Sequence, residues 1–481
     1  MERFCKNALI TIMLISIPGV IWGQETKWSL EKCIKHAMEN NLQIKQKVLQ
    51  SKLNESTYTQ SRAALFPTLR TSASHQINSG RALDETTYQF TKDQTIQSDN
   101  FQVNSNLTLF SGFQKMNSIK KAKLDLMASI KDTEKTKNDI AVNIASAYLN
   151  ILFNKDILKN SKNQLDIIKQ QEERTKKLVD AGSLPQGNLL EIQAQVAAEE
   201  LNVVTYSNQL KLAYLSLVQI LELESFDNFE IEEPDLTIEQ HAKQLYDVAQ
   251  SYNLAVANLP EIESAKLKLE SQEKELKIAK GGYYPSLTLG AGLNTRYSGA
   301  QKTRTVPDLN APMGTRQIGL VQGSNTPVIS FYQPTLTQDY GFADQFKDNM
   351  SYYVGFTLSV PIFNGLSAKT RVAKTKISVE QTRLQMETTK KDLLKRVQKA
   401  YYDALAAIEK YKSSEKSVAA MKTAFRYTEE KYNVGMVNTL EYNQAKNKLI
   451  KAESDLLQAK YEYIFKTNIL DFYRGNPLTL K

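Results

Sequence analysis

Two rhythms of hydrophobic and polar positions divide this chain. In the first, apolar residues are spaced four and three apart. They run Ile140, Ile144, Ala147 and Ile151, then Leu190, Ala194, Ala197, Leu201 and Val204. The same spacing returns in Leu393, Val397, Ala400, Ala404, Ala407 and Tyr411, and again in Leu449, Ala452, Leu456, Ala459 and Tyr463. Residues so spaced fall on one narrow stripe of a helix and form a seam against a neighbouring helix. Alanine fills many of these positions, so the axes can approach closely. The seam alone fits an ordinary antiparallel coiled coil equally well. From Phe113 to Val179 there is neither proline nor glycine, which predicts a helix roughly 100 Å long at ~1.5 Å per residue. Leu366 to Val434 predicts a second of nearly equal length. Two further helical stretches, about 29–65 and 186–221, are half as long, so two stacked end to end would match one long helix in a cylinder wall.

The second rhythm has period two. Phe101, Val103, Leu107 and Leu109 alternate with Gln102, Asn104, Asn106 and Thr108. Tyr352, Val354, Phe356, Leu358 and Val360 alternate with Tyr353, Gly355, Thr357 and Ser359. Leu287, Leu289, Ala291 and Leu293 alternate with Ser286, Thr288, Gly290, Gly292 and Asn294, and a weaker set joins Leu69, Ala73 and Ile77. The predicted strands, about 67–77, 101–110, 286–295 and 351–361, are near the ~10 residues a tilted strand needs to cross a bilayer. One apolar and one polar face suit lipid outside and water inside; two soluble hairpins, each with one face on a core, are the alternative. Four strands cannot close a barrel, and an open edge cannot sit in lipid, so in a membrane several chains must share one barrel. The connecting segments, about 78–100 and 295–349, are rich in Gly, Pro, Ser, Thr, Asn and Gln and read as loops.

The pattern is duplicated. Phe110-Ser111-Gly112 recurs as Phe363-Asn364-Gly365, 253 positions on, and Ala147-Tyr148 recurs as Ala400-Tyr401 at the same offset. Gly182 matches Gly435, and Leu190-Glu191 matches Leu440-Glu441 after a three-residue slip. Upstream, Phe66-Pro67-Thr68-Leu69 matches Tyr284-Pro285-Ser286-Leu287 at an offset of 218, so the second repeat carries 35 extra residues between Pro285 and Phe363.

Composition narrows the function. No stretch after residue 23 holds 18 apolar residues, which excludes a helical membrane protein but not a β-barrel. Arg3 and Lys6 precede an apolar run from Ala8 to Ile21, and Gly23 offers a small residue before Gln24. This predicts a secretory signal peptide over 1–23, with a retained anchor as the alternative. The mature chain then keeps Cys33 alone, so it forms no internal disulfide. The net charge of +9 is spread along helices among acids, as on solvated helix faces and unlike a nucleic-acid reader. His36, His75 and His241 lie far apart, and no metal spacing, catalytic triad or phosphate loop occurs. The expectation is a protein that is not an enzyme and needs no cofactor.

The duplicated set resembles the TolC-type outer membrane efflux protein family over nearly the whole mature chain. The likeness rests on Trp28-Ser29-Leu30 with Ala37 and Asn40-Asn41-Leu42, and on Pro67 and Pro285, which lead into strands. It also rests on the turns at Gly112 and Gly365, and on Gly182 and Gly435, each followed by an acid near the start of a returning helix. The resemblance implies a mainly helical fold with strands: a long antiparallel coiled-coil tunnel, and four strands per chain in a twelve-stranded transmembrane barrel shared by a homotrimer. Its divisions are a signal peptide (1–23), repeat one (24–225), an equatorial linker (226–259), repeat two (260–473) and a tail (474–481). Helices are expected at about 29–65, 113–180 and 186–222, then 260–282, 366–434 and 438–473. A periplasmic adaptor, an inner-membrane transporter of RND or ABC type, and outer-membrane lipid would be the partners.

In that family the helix tips at the two glycine turns close the periplasmic entrance, where Gly182 and Gly435 would also meet the adaptor. A tyrosine, a glycine, an arginine and two acids mark the second tip. Here Tyr432, Gly435 and Glu441 match, whereas Val437 replaces the arginine and Gln444 the second acid. Glu191 aligns with the acid that the arginine would bind. Three copies of Glu191 and Glu441 would ring a narrow pore and attract cations; alternatively, both acids simply suit helix N-termini. The implied function is a drug or small-molecule efflux duct. Protein export by a type I system and, from another class, a soluble periplasmic coiled-coil scaffold are the alternatives.

Overall fold

A computed structural model describes residues 27–81, 83–84, 88–90, 94–225, 229–234 and 247–478. The predicted signal peptide, His241, much of the predicted linker and the last three residues of the tail lie outside them. In chain order the elements are α1 (Leu30–Asn40), α2 (Leu42–Ala63), β1 (Thr68–Gly80), β2 (Leu83–Asp84), β3 (Gln89–Phe90) and β4 (Gln94–Ser111). Then come α3 (Gln114–Asp180), α4 (Gln186–Leu221), α5 (Val248–Asn258), α6 (Pro260–Gly281) and β5 (Ser286–Ser298). The chain ends with β6 (Thr303–Pro307), β7 (Gly314–Leu320), β8 (Pro327–Tyr332), β9 (Thr335–Asp339), α7 (Phe342–Asp348), β10 (Ser351–Ser359), α8 (Ser367–Asn433) and α9 (Thr439–Tyr473). The duplication is visible in lengths: α3 and α8 have 67 residues each, and α4 and α9 have 36 and 35.

Two compact units divide the chain. One takes Val48–Asp132 and Pro260–Lys390; the other takes Met1–Lys47, Thr133–Leu259 and Lys391–Lys481. The first holds an antiparallel four-stranded sheet in the order β1-β4-β5-β10. Its two hairpins share one register under the duplication: Thr68 faces Asn106 as Ser286 faces Ser359. β4 begins seven residues before the predicted strand, and β1 runs three beyond it. Gln94 to Asn100 carries almost no apolar alternation, so periodicity misses it, yet it pairs residue by residue with Ser74–Gly80. A bulge between Thr108 and Phe110 leaves Leu109 without a partner on β5 and puts Phe110 opposite Leu287.

The segment 295–349, expected to be loop, contains the pairing of β6 with β9, within which the hairpin β7–β8 is inserted, followed by α7. Turn-forming residues dominate its composition and mask the short strands. α7 packs aromatic rings on the sheet: Phe342 and Phe346 lie 6.1 and 5.6 Å from Phe101, and Phe342 lies 5.4 Å from Tyr297. Buried Gln345 ties α7 down by donating to the carbonyls of Ser298, Gln301 and Tyr340.

In the helical unit the predicted helix 29–65 is broken in two. Asn41 is extended (φ −60°, ψ 129°). Its Oδ1 accepts from the amides of Gln43 (3.0 Å) and Ile44 (3.4 Å), while its Nδ2 donates to the Ile220 carbonyl (3.0 Å). An asparagine that satisfies helix-terminal amides in this way favours a break. The predicted linker 226–259 likewise holds a helix, α5, and Pro260 then opens α6, where its missing N–H is harmless. Beside α1, a parallel bridge joins Trp28 to Ile231, and the Tyr148 hydroxyl reaches the carbonyls of Trp28 (3.0 Å) and Glu232 (2.6 Å). Burial pushes that phenol well above its ordinary range.

Three of the four predicted seams are interior to the chain. Ile140, Ile144 and Ile151 are buried, as are Leu393, Val397, Ala400, Ala404 and Ala407, and Ala452, Ala459 and Tyr463. The stripe predicted on α4 is not: Leu190, Leu201 and Val204 are 59%, 66% and 65% exposed. The seam that α4 shares with α3 lies beside it, where Leu189, Ile192 and Val196 pack on Ile168, Leu165 and Val179. The four-three rhythm of α4 thus marks a second apolar stripe.

Cys33 is fully buried, and desolvation lifts its thiol to about 12. Because the thiolate is the reactive form, maleimide labelling of Cys33 in the native protein at pH 8 should be at least about a hundredfold slower than in the unfolded chain. Site-resolved mass spectrometry reads this; equal rates would contradict the buried placement.

Candidate functional site

The sheet segregates its side chains by face. Register places Leu69, Ala73 and Ile77 of β1 in line with Phe101 and Val103 of β4, with Leu287, Leu289 and Leu293 of β5, and with Tyr352, Val354, Phe356 and Leu358 of β10. Within the chain this apolar face is largely bare, with Tyr352 85% and Leu69 75% exposed. The opposite face carries Ser72, Gln102, Asn104, Asn106, Thr288, Asn294 and Thr357. Gly292 makes room there: a Cβ would meet the Tyr353 ring at 2.4 Å, and that ring lies across the strand with its hydroxyl 3.3 Å from Asn104 Oδ1. In sequence order β1 and β10 are first and last, and in the sheet they are its two edges.

Pro67 and Pro285 stand one residue before β1 and β5, where a missing N–H removes no ladder bond. After β4 and β10 the backbone turns sharply. Gly112 and Phe113 have φ of +59° and +61°, and Gly365 and Leu366 repeat this at +60° and +62°. Left-handed conformation costs a non-glycine residue roughly 1–2 kcal/mol, so both repeats tolerate the same strain at the same place. Gly112 also admits a close approach, since a Cβ would lie 2.4 Å from the Gly281 carbonyl oxygen.

The helix tips repeat each other as closely. At Gly182 (φ +74°) the amide donates to Val179 O and Ser183 N donates to Leu178 O. At Gly435 (φ +76°) the amide donates to Tyr432 O and Met436 N to Lys431 O. Both are left-handed caps closed by the same two bonds. Beyond them the tips differ. Asn438 caps α9, its Oδ1 accepting from the Glu441 amide (2.9 Å), so Glu441 is the third residue of the helix and suits its dipole. Glu191 is the sixth residue of α4, past the first turn, so the dipole does not account for it. Neither acid pairs with a cation among the described residues. Tyr432 stacks on Tyr442, ring centres 4.7 Å apart, within its own hairpin. Gln444 is exposed and Val437 half-buried. Within one chain, Glu191 is therefore not bonded to Tyr432, Glu441 or Gln444.

Sequence periodicity does not single out two further residues of α9, the one after Glu441 and one a turn beyond it. Tyr442 is buried against Phe425 and Tyr432 and accepts from Gln171 Nε2 of α3 (2.7 Å). Lys446 follows it, 6% exposed, its ammonium making no hydrogen bond among the described residues. Desolvation pulls this lysine down to about 8, against the opposing fields of Glu199 and Glu429. The signal that could have found it is the duplication: the offset that joins Leu190-Glu191 to Leu440-Glu441 puts Lys446 opposite Val196.

The outer membrane efflux protein family matches residues 33–222 and 251–476, one block for each repeat. The chain is 22% identical over 344 residues to the toxin and drug export protein A of Aggregatibacter actinomycetemcomitans, covering 71% of this chain and 65% of the relative. It is 23% identical over 335 residues to the outer membrane protein TolC of Escherichia coli K12, covering 68% of this chain and 59% of that one. The chain thus spans less than two thirds of the length of these two relatives. Its fold is similar to the crystal structure of the outer membrane protein VceC from Vibrio cholerae, with a TM-score of 0.73 at 15% identity over 94% of this chain and 97% of that one. Since the two matched blocks take in both repeats and most of the chain, the protein belongs to the outer membrane efflux protein family.

Proposed function

We propose that this chain is one subunit of an outer-membrane exit duct, not an enzyme, that passes drugs or other small molecules outward. A periplasmic adaptor and an inner-membrane transporter of RND or ABC type would deliver them. One observation carries the reading: a four-stranded sheet with an apolar face bare except where α7 packs on Phe101, a polar face and, among the described residues, two open edges. Such a sheet is compatible with lipid only when other copies complete it. The family implies a trimeric channel, and three chains would supply twelve strands. A soluble periplasmic scaffold would leave the apolar face against water. The name of the Aggregatibacter relative joins toxin and drug export, so protein export by a type I system stays the second reading of the cargo.

The duplication supports a specific way of sharing. Inside the chain, the second strand of repeat one pairs with the first strand of repeat two, Asn104 facing Gly292. The repeat offsets of 253 and 218 turn this pair into Thr357 of one subunit facing Ser74 of the next. The same shift sets Val354 opposite Ile77, apolar against apolar. The exposed stripe Leu190–Val204 on α4 is a suitable seam for a helix of another subunit. On α9 only the first corresponding position, Leu440, is apolar; the other four, Gln444, Asn447, Lys451 and Ser454, are polar.

The helix tips are proposed as the gate and the adaptor contact. Glu191, Glu441, Tyr432 and Gln444 would line the entrance, and the turns at Gly182 and Gly435 would meet the adaptor. With Val437 in place of an arginine, closure there would not rest on an ion pair to Glu191.

Two measurements test these readings. Ser74→Cys with Thr357→Cys in one chain should give disulfide-linked dimers and trimers on oxidised gels of outer membranes, and Ser74→Cys with Ser351→Cys should not. The reverse result would overturn the shared register, and a soluble monomer on fractionation would overturn the duct. Glu191→Gln combined with Glu441→Gln should lower cation selectivity in planar-bilayer reversal potentials; unchanged selectivity would remove the gate assignment and leave the fold standing.

A further inference from the structure

Polar contacts link the two helical hairpins, α3/α4 and α8/α9, beside the seams inside them. Tyr461 of α9 donates to Asp156 of α3 (2.7 Å), and Gln171 of α3 donates to Tyr442 of α9 (2.7 Å). Gln164 and Gln171 follow Asp156 by eight and fifteen residues, which keeps them on one stripe of α3. Asn443 and Lys446 precede Tyr461 by eighteen and fifteen, on the facing stripe of α9. Four buried atoms on these stripes find no hydrogen-bond partner among the described residues: Gln164 Nε2, Gln171 Oε1, Asn443 Nδ2 and Lys446 Nζ. Leaving such groups dry is unfavourable, most of all for an ammonium.

The repeat shows that this polarity is local. In hairpin α3/α4 the equivalent seam holds Ile192 and Val196, packed on Ile168 and Leu189. In hairpin α8/α9 those two places are Tyr442 and Lys446. A lysine therefore occupies a core position that its own duplicate fills with valine. It feels the fields of two carboxylates, Glu199 of α4 and Glu429 of α8, and forms no ion pair among the described residues. α3 presents the uncharged Gln171 one turn away.

We propose that Lys446 sets the balance between packed and separated hairpins at the entrance end, its buried, unpaired ammonium favouring separation, where water can reach it. The idea rests on the duct reading for its consequence, a channel entrance poised to open, but the packing itself is measurable without conduction. It also replaces an ionic latch by a residue that weakens closure. Lys446 holds its proton less tightly when packed than when exposed, for which the ordinary lysine value is about 10.4. The bias towards separation is therefore fully present below about pH 8 and fades as pH rises towards the exposed value. Tyr442, one turn before Lys446 on α9, is shifted upward by burial.

The experiment uses the full-length protein in detergent and in planar bilayers, as wild type, Lys446→Val and Lys446→Arg. Amide exchange over residues 439–452 should be about tenfold slower in Lys446→Val than in wild type at pH 7.5, with the bilayer open probability lowered in the same proportion. Wild-type open probability should fall between pH 8 and pH 10, whereas Lys446→Val should stay low and Lys446→Arg high across that window. Exchange in Lys446→Val equal to or faster than wild type would overturn the proposal, as would a wild-type pH response retained in Lys446→Arg. If the wild type forms no pores, the duct reading fails, and the exchange comparison still decides the role of Lys446. Should Lys446→Val fail to fold, Lys446→Met takes its place in both measurements, with the same expected and contrary results.

Discussion

The backbone hydrogen-bonding groups along the outer edges of β1 and β10 govern how this molecule is used. Within the described residues each of these strands has one neighbour, β4 or β5, and its other edge is open. In hydrocarbon every unsatisfied backbone group costs several kcal/mol, and the apolar face through Tyr352, Val354 and Leu69 is unsuited to water. The two requirements have one common solution, closure of the sheet by further copies. Internal duplication makes that closure cheap in design, because the β4–β5 junction already contains the geometry that a β10–β1 junction between subunits would repeat.

A similar contrast organises the helices. An apolar seam of Ile168, Leu189, Ile192 and Val196 joins the members of hairpin α3/α4, whereas Gln171 with Tyr442 and Asp156 with Tyr461 link one hairpin to the other, near the buried Lys446. Apolar seams hold because separating them exposes area to water, at ~25 cal/mol per Å². A polar seam with partners missing gains hydration on separating.

Much of this is legible in the amino-acid sequence. Periodicity located both 67-residue helices within a residue or two, because a four-three rhythm without proline or glycine admits little else. Period-two alternation found four strands, and the offsets found the repeat. What escaped had physical reasons. Asn41 breaks a helix through contacts with Ile220, far away in sequence. Gln94 to Asn100 is a strand because Ser74–Gly80 lies beside it, not because of its own pattern. The strand pairs of 303–339 are short and set among turn residues.

At the candidate gate the sequence supplied the residues but not their relations. Glu441 proved to sit in the first turn of its helix and Glu191 beyond it, and Tyr432 stacks on Tyr442 rather than on repeat one. By itself the sequence determined the repeat, the element types and the amphipathic faces, since these follow from local spacing and steric rules. Tertiary structure alone decided which apolar stripe of α4 is used inside the chain and which is left bare. It alone decided that Lys446 is buried, because burial depends on which helix lies opposite, and no single helix carries that information.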